Sequence, residues 1–346
     1  MKIVLKTAFK TDLEPTRRYA IAAISALGTA VAAALSMASA PAFAQGAYPA
    51  KPITIIVSYP AGGDTDALAR LLAEKLSTRV GQTVLVDNKP GASGTIGNAF
   101  VAKSPADGYT LLMTPNTISI ATLVLKAGTG AAYDVVNDFT PIIQIGSQSL
   151  FLVVNASTGI TSVKDLVAAA KADKIKTYAT PGSGSPMHIL GEVFNKAAGV
   201  KITQVPYRGS APAITDLVGG HVPFMYTTLG PVSQYIASGK MANLAVADMK
   251  RSPLAPNVPT LDELGYKDVD VGAWQGIMGP KGMPGDVVKL LNGHLNDIIK
   301  MPDVVARMTT IATIPVGGDG AVLGKINAFD HNRYAKVIKE FGIQAD

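Results

Sequence analysis

Cysteine is absent from the 346 residues, and aromatic residues make up only 6% of them. Without cysteine the chain forms no disulfide, no thiolate metal site, no cysteine nucleophile and no lipid-modified N-terminal cysteine. Charged residues are few, at 16%, whereas hydrophobic residues reach 48%. This composition is too apolar for a disordered chain, and the 34 Gly and 22 Pro are too many for a coiled coil. The length indicates two domains of about 150 residues or one large α/β domain.

The sequence also lacks any run of Lys and Arg interleaved with aromatic residues, so we expect no nucleic-acid partner. The formal net charge is +6, but residues 1–44 hold five basic and two acidic residues, which leaves about +3 for the remainder. The four histidines show no metal-ligand spacing, and the GxSxG, HExxH and Walker A motifs are missing. In the glycine-rich segment 91–97, Ser93 stands where a dinucleotide-binding GxGxxG needs glycine. We therefore expect no metal, no cofactor and no catalytic residue.

The N-terminus has the pattern of a secretory signal peptide. Arg17 and Arg18 precede an apolar stretch at 19–35, and small residues then end in Ala42-Phe43-Ala44, an A-x-A cleavage sequence. A membrane anchor is the alternative, but the Ala-rich composition and the small-residue exit favour cleavage after about Ala44. We predict a signal peptide at 1–44 and an exported, free periplasmic protein at 45–346.

Short apolar β-rich runs alternate with helical patterns along the remainder of the chain, which predicts βαβ units and parallel sheets. The predicted strands of the first half are 53–58, 83–87 and 109–113, followed by a long apolar run at 141–155. Its predicted helices are 66–78 and about 95–103. The second half alternates helices at 162–172, 186–198, 212–218 and 231–238 with strands at 175–180, 202–205, 222–227 and 242–247. After the proline-rich segment 250–259 come an apolar run at 269–279 and helices near 284–300, 302–311 and 322–341.

This order predicts an α/β protein of two lobes, each a sheet flanked by helices. Two crossings of the chain between the lobes are expected near residues 145 and 250. Lobe one would consist of residues 45–144 plus 250–346, and lobe two of residues 145–249.

Two loops of lobe one follow predicted strands and are candidates for ligand binding. The segment 59–66, YPAGGDTD, places two glycines at a helix start, where backbone N–H groups and the helix dipole favour an anion. Asp64 and Asp66 have the alternative role of capping that helix. The segment 88–97, NKPGASGTIG, is either a lining of the same site or an ordinary glycine-rich turn.

Lobe two offers three further candidate loops. The segment 180–188, TPGSGSPMH, has hydroxyl and N–H groups at a helix opened by Pro186, and His188 lies in the first turn. Arg208, in the loop 205–212, offers a fork of donors to a carboxylate. Hydroxyl groups of residues 226–228 end a predicted strand. The alternatives are a helix-face histidine bonded to backbone, a surface arginine and ordinary strand-end residues.

Several separate segments carry a family resemblance: YPAKPITIIVSYPAGGDTDALARLLAEKL, GQTVLVDNKPGASGTIG, SPADGYTLL, YATPGSGSPMHILGEVF and VPYRGSAPAITDLVGGHV. In order and spacing they resemble the Bug/TctC family of extracytoplasmic solute receptors, which serve tripartite tricarboxylate transporters. The similarity covers residues 48–346. It implies a two-lobed periplasmic-binding-protein (Venus flytrap) fold that closes on a small carboxylate.

The resemblance further implies a receptor rather than an enzyme, a monomer without cofactor, and transporter subunits in the membrane as partners. From the resemblance and the loops together, we expect these residues to contact the ligand: Tyr59, Ala61, Gly62, Gly63, Asp64, Asp66, Asn88, Gly94, Thr114, Asn116, Ser183, Gly184, Ser185, His188, Tyr207, Arg208, Gly209, Thr227 and Thr228.

Two positions depart from the family pattern. Asp64 stands where many relatives have Gly, and Met225-Tyr226-Thr227 replaces the Met-Phe-Asp of many relatives. Loss of that acidic group removes a partner for a ligand ammonium, which favours a dicarboxylate without an amine, aliphatic or aromatic. The identity of the solute stays open. An exported hydrolase or isomerase on a two-lobed fold, a binding protein that serves only a sensor, and an orphan surface protein are the alternatives.

Overall fold

The computed structural model describes residues 48–125 and 133–344, so the predicted signal peptide at 1–44 lies outside the described residues. The segment Pro49–Asp346 is one compact unit. Its strands are β1 (Ile53–Val57), β2 (Val84–Asn88), β3 (Thr110–Pro115), β4 (Phe139–Gln148), β5 (Phe151–Asn155), β6 (Thr177–Thr180), β7 (Thr203–Pro206), β8 (Phe224–Thr227), β9 (Met241–Val246), β10 (Ala273–Pro280) and β11 (Ile314–Pro315).

The α-helices are likewise numbered in chain order. They are α1 (Asp64–Val80), α2 (Thr95–Ala102), α3 (Ile118–Val124), α4 (Val163–Lys171), α5 (Pro186–Ala198), α6 (Ser210–Gly219), α7 (Ser233–Ala237), α8 (Gly285–Ile298), α9 (Pro302–Thr310) and α10 (Gly320–Phe341). Within the described ranges, no helix is both long enough and apolar enough to cross a membrane.

Helix α1 shows how the sequence specifies an element. Leu68, Leu72 and Leu76 recur every four residues and are at most 1% exposed, so one face of the helix is buried against sheet one. The helix ends at Gly81, whose φ of 68° is left-handed and whose N–H donates to the carbonyl of Ser77 over 3.1 Å.

Each lobe contains one mixed sheet. Sheet one has the order β11-β4-β10-β3-β1-β2, and sheet two has the order β7-β6-β8-β5-β9. Strands β1, β2 and β3 are parallel, as are β6, β7 and β8, but β10 runs antiparallel to β3 and β4, and β5 runs antiparallel to β8 and β9. The predicted parallel strands are present in both sheets. The antiparallel placement of β4, β5, β9 and β10, the strands next to the two crossings between the sheets, was not predicted.

Helix α10 contacts both lobes. Near its start, Leu323 packs with Ile56, Leu112 and Trp274 in the core beside sheet one. Near its end, Tyr334 and Ile338 belong to a core that includes Tyr178 and Phe194 of the second lobe. The lobe boundaries at residues 144 and 249, and the assignment of this helix to lobe one, remain predictions. The last turns of the helix also contact lobe two, where Lys196 Nζ lies 2.7 Å from Glu340 Oε1.

Candidate functional site

Loops at the carboxyl ends of the parallel strands of both sheets surround a cavity of about 510 Å³. In an open α/β sheet this edge is where ligands bind. Its lining is Tyr59, Pro60, Asp64, Thr65, Ser93, Pro115, Asn116, Thr117, Ala121, Val124, Gln148, Pro181, Gly182, Ser183, Gly184, Ser185, Pro186, Met187, Arg208, Gly209, Ser210, Thr228, Ala273 and Gln275.

The loop between β1 and α1 is fixed by Asp66, which is 3% exposed. Its carboxylate accepts from the Gly62 N–H over 2.9 Å, from Nε of Arg70 over 3.0 Å and from Nδ2 of Asn88 over 2.9 Å. Burial alone would raise the pKa of Asp66, but these bonds together lower the pKa below its ordinary value. Asp66 and Asn88 therefore hold the loop in shape from outside the cavity.

Asp64 lies at the first position of α1, on the wall of the cavity. It does not cap the helix, because the N-cap is Gly63 and no side chain bonds to the cap position. Burial raises the pKa of Asp64, and a hydrogen bond with Gln148 opposes that rise. Next to it, Thr65 Oγ1 donates to Gln275 Oε1 over 3.3 Å, so the strands β4 and β10 support this end of the cavity.

Tyr59 links three segments of lobe one. Its hydroxyl is hydrogen-bonded to Thr117 and donates to the carbonyl of Ser93 over 3.2 Å. Burial raises the pKa of Tyr59 to about 12, so the phenol is neutral at physiological pH. Ser93 has a φ of 55°, in the left-handed region that non-glycine residues rarely adopt.

In lobe two, the loop after β6 is built around the N-terminus of α5. Ser185 is the N-cap, and its Oγ accepts from the His188 N–H over 3.2 Å. His188 Nδ1 accepts from the Gly184 N–H over 3.1 Å, so the buried imidazole holds the loop. Gly184 has a φ of 74°, and an added Cβ there would lie 2.8 Å from Val124 of α3. Glycine is thus required where the two lobes touch at the cavity wall.

Arg208 extends from the loop after β7 and is exposed along the cavity. This loop is tied to the preceding one, since the Gly209 N–H donates to the Pro181 carbonyl over 3.0 Å. Within residues 48–125 and 133–344, Arg208 forms no ion pair. Its guanidinium is therefore available for a ligand anion.

The structure brings together part of the predicted set at this cavity: Tyr59, Asp64, Asn116, Ser183, Gly184, Ser185, Arg208, Gly209 and Thr228. The other predicted residues are outside its lining: Ala61, Gly62, Gly63, Asp66, Asn88, Gly94, Thr114, His188, Tyr207 and Thr227. Tyr207, for example, donates to Asp216 Oδ2 over 2.7 Å, and Thr227 is 1% exposed. Contact of these residues with a ligand remains a prediction.

Sequence reasoning missed several wall residues that do not belong to glycine-rich loops. Gln148 and Gln275 come from the crossing strands β4 and β10, Thr117 and Val124 from the region of α3, and Met187 from the first turn of α5. The two glutamines carried a usable signal, because each is a polar residue within an apolar strand and each is at most 5% exposed.

A larger cavity of about 790 Å³ lies against α5 and α10, away from the strand ends. Its walls include the exposed Met249 and Phe329 and charged residues of both signs. Loops at strand ends do not converge there, so we assign the site to the smaller cavity. Among the residues that the structure describes, no cluster of three or more His, Asp or Glu side chains is arranged to hold a metal ion.

Residues 68–343 match the family described as "Tripartite tricarboxylate transporter family receptor" (TctC). The chain is 37% identical over 296 residues to protein BugT of Bordetella pertussis. The aligned region covers 85% of this chain and 90% of BugT.

Solved structures agree with this match. The R. palustris protein Rpa4515 with adipate has a TM-score of 0.76 and 33% identity, covering 86% of this chain and 99% of that one. The periplasmic binding protein BugD has a TM-score of 0.73 and 32% identity over 86% of this chain and 100% of that one. MatC of Rhodopseudomonas palustris with bound malate has a TM-score of 0.72 and 26% identity over 84% of this chain and 100% of its own length.

Proposed function

Since the chain belongs to the tripartite tricarboxylate transporter receptor family, we propose that it captures a small dicarboxylate in the cavity and delivers it to a transporter of that type. The family consists of two-lobed solute-binding receptors, not enzymes, so the chain binds its ligand without transforming it.

The observation that carries this proposal is the anion-binding end of the cavity in lobe two. Arg208 lies there beside the N-terminus of α5, which has no acidic residue in its first turn. The guanidinium, the helix dipole and the Ser183 and Ser185 hydroxyls together suit one ionised carboxylate. The adipate and malate bound to Rpa4515 and MatC support a dicarboxylate as the class of ligand.

The site residues that we propose are the expected ones that line the cavity, with the two glutamines added. Asn116, Thr228, Gln148 and Gln275 offer polar groups along its length, and Tyr59 offers a neutral hydroxyl. The expected residues outside the lining, such as His188 and Asn88, would act by holding the loops, or would reach the ligand after closure of the lobes.

We further propose that the protein works as a monomer in the periplasm after removal of residues 1–44. The A-x-A sequence that ends at Ala44 supports this cleavage. N-terminal sequencing of the secreted protein gives the cleavage site directly, and sedimentation gives the oligomeric state.

A thermal-shift screen of the mature protein tests the function. The panel contains mono-, di- and tricarboxylates, aliphatic and aromatic, with amino acids and esters as further classes. A ligand at 100 times its dissociation constant adds about 2.7 kcal/mol to the free energy of unfolding, which raises the melting temperature by several degrees. We expect saturable shifts with dicarboxylates and no product. Silence across all carboxylates, or turnover of an ester, would overturn the proposal.

A further inference from the structure

We propose that Asp64 determines the form of the ligand that the cavity accepts: the end of the ligand next to α1 must donate a hydrogen bond. A dicarboxylate then binds as a monoanion, with one proton between that end and Asp64. This inference rests on the proposed function, since it presupposes a carboxylate held at the Arg208 end.

Helix N-termini from both lobes face the cavity, and those of α1 and α5 differ in charge. The first turn of α5 has no acidic residue, whereas the first turn of α1 contains Asp64 and Asp66. A helix N-terminus favours an anion because its backbone N–H groups give it partial positive charge. At α1 that charge already faces two carboxylates of the protein itself. The lobe-one end of the cavity is therefore a poor place for a further anion.

Asp64 and Asp66 have different surroundings, and only Asp64 lines the cavity. Asp66 is paired with Arg70, whose guanidinium lies 3.0 Å from its Oδ1. In the described part of the chain, Asp64 forms no salt bridge, and its hydrogen bond is with the neutral amide of Gln148. Gln148 Nε2 also donates to the Ile311 carbonyl over 3.2 Å, so the amide nitrogen of Gln148 acts as a donor here. Asp64 is thus held as an acceptor.

The charges that face Asp64 are few. Among the lining residues, only Arg208 has a charged side chain besides Asp64, and Tyr59 is a neutral phenol. Arg70 is occupied by Asp66 on the same helix, and β4 and β10 contribute the neutral Gln148 and Gln275. A dianionic ligand would bring its second carboxylate to Asp64 with no cation between them.

Burial already raises the pKa of Asp64 without a ligand, which favours proton uptake when a second anion approaches. The departure from the family pattern at Thr227 favoured a ligand without an amine, but the lining of the cavity contains one acidic side chain, that of Asp64. The same geometry accepts a carboxamide in place of the protonated carboxyl, because the N–H groups of the carboxamide can donate a hydrogen bond to the Asp64 carboxylate.

The test compares matched ligands on the secreted mature protein. Isothermal titration calorimetry measures the affinities of succinate, glutarate, adipate and pimelate and of their monoamides at pH 5.5 and pH 8. At pH 8 we expect the best monoamide to bind about tenfold more tightly than its dicarboxylate, because two like charges meet in the latter case. Acidification should raise dicarboxylate affinity by up to about tenfold per pH unit, as uptake of one proton requires.

Asp64→Asn separates this effect from the protonation of the ligand itself. The variant should bind dicarboxylate more tightly than the wild type at pH 8. Because it accepts the dianion, its affinity should no longer rise on acidification. Asp297→Asn is the matched control, since Asp297 is an exposed lobe-one carboxylate paired with Arg79 outside the cavity, and its variant should behave as the wild type. Melting temperatures without ligand show whether each variant is folded, and Asp64→Gly replaces Asp64→Asn if the latter is not.

An unchanged ratio of monoamide to dicarboxylate affinity in the folded Asp64 variant would overturn the inference while leaving the proposed function intact. Equal pH dependence in the wild type and the variant would do the same. Failure of every dicarboxylate and monoamide to bind, at either pH and in every variant, would overturn the proposed function and the inference with it.

Discussion

At the scale of single residues, Arg208 is the clearest test of the lobe-two end of the cavity. Arg208→Ala should weaken dicarboxylate binding by about 1.5–3 kcal/mol, the usual cost of a lost charge-assisted hydrogen bond. Arg208→Lys should lose less, because it keeps the charge but not the fork of donors. Calorimetric titration measures both losses.

A matched arginine provides the control for this prediction. Arg79 is paired with Asp297 on the surface and does not line the cavity, so Arg79→Ala should leave the affinity unchanged. Equal affinity of the Arg208→Ala protein and the wild type would show that Arg208 does not contact the ligand.

The sequence identified residues that line the cavity where a glycine-rich loop follows a strand, as with Asp64 and Ser185. It failed where the side chain comes from inside an element, because the side of a strand that faces a ligand depends on tertiary packing. Gln148 and Gln275 were missed for this reason. His188 was expected at the ligand, with a hydrogen bond to backbone as the alternative. Its Nδ1 accepts from the Gly184 N–H, and its contact with a ligand remains a prediction.

At the scale of elements, two serine N-caps allow an effect on stability to be distinguished from an effect on ligand binding. Ser185 caps α5 at the cavity, and Ser162 caps α4 outside its lining; each Oγ accepts from an N–H three residues further on. Replacement of either by Ala should reduce the free energy of unfolding by about 1 kcal/mol. Ser185→Ala should also weaken ligand binding, whereas Ser162→Ala should not. Denaturant titration and calorimetry measure the two effects.

If both serine variants bind the ligand more weakly and to the same degree, the lower affinity of the Ser185→Ala protein results from its lower stability alone. Unchanged affinity in both would remove the Ser185 hydroxyl from the site.

Most elements could be predicted from periodicity and end signals. Helix α5 has its predicted bounds because Pro186 starts it and Gly199, with a φ of 62°, ends it. Helix α3 was missed, since the seven residues ISIATLV are short and rich in β-branched side chains, which fit a strand equally well. The two-residue strand β11 gives no pattern of its own and forms because β4 offers it an edge.

At the scale of the whole molecule, closure of the two lobes on a ligand should change the fluorescence of Trp274, the single tryptophan of the chain. Its indole Nε1 donates to Asp330 Oδ2 over 2.8 Å, and its neighbours Ala273 and Gln275 line the cavity. Strand β10 also follows the second crossing between the sheets, so movement of the lobes should alter the surroundings of the indole. We expect a saturable change in emission on ligand addition.

Trp274→Phe is the control for this signal. It should abolish the change in emission and still bind the ligand in calorimetry. If calorimetry shows that the wild-type protein is saturated with ligand and its tryptophan emission is unaltered, binding does not change the surroundings of β10.

The two-lobed architecture followed from the order of elements and from the family resemblance. The antiparallel strands did not, because periodicity does not encode the direction in which a strand enters a sheet. The end of α10 was also beyond prediction. Its side chains Tyr334 and Ile338 share one core with Tyr178 and Phe194 of lobe two, residues more than a hundred positions earlier in the chain.

The order of sheet one determines when each half of the protein can be completed as the chain emerges. Strand β10 lies between β3 and β4, so β4 has no partner in its own sheet until residues 273–280 are available. Sheet two is formed wholly by residues 151–246, and its strands are all present before that point. The sheet that begins second in the sequence is therefore the one that can finish first, and a chain halted between residues 246 and 273 would have one complete sheet and one open sheet.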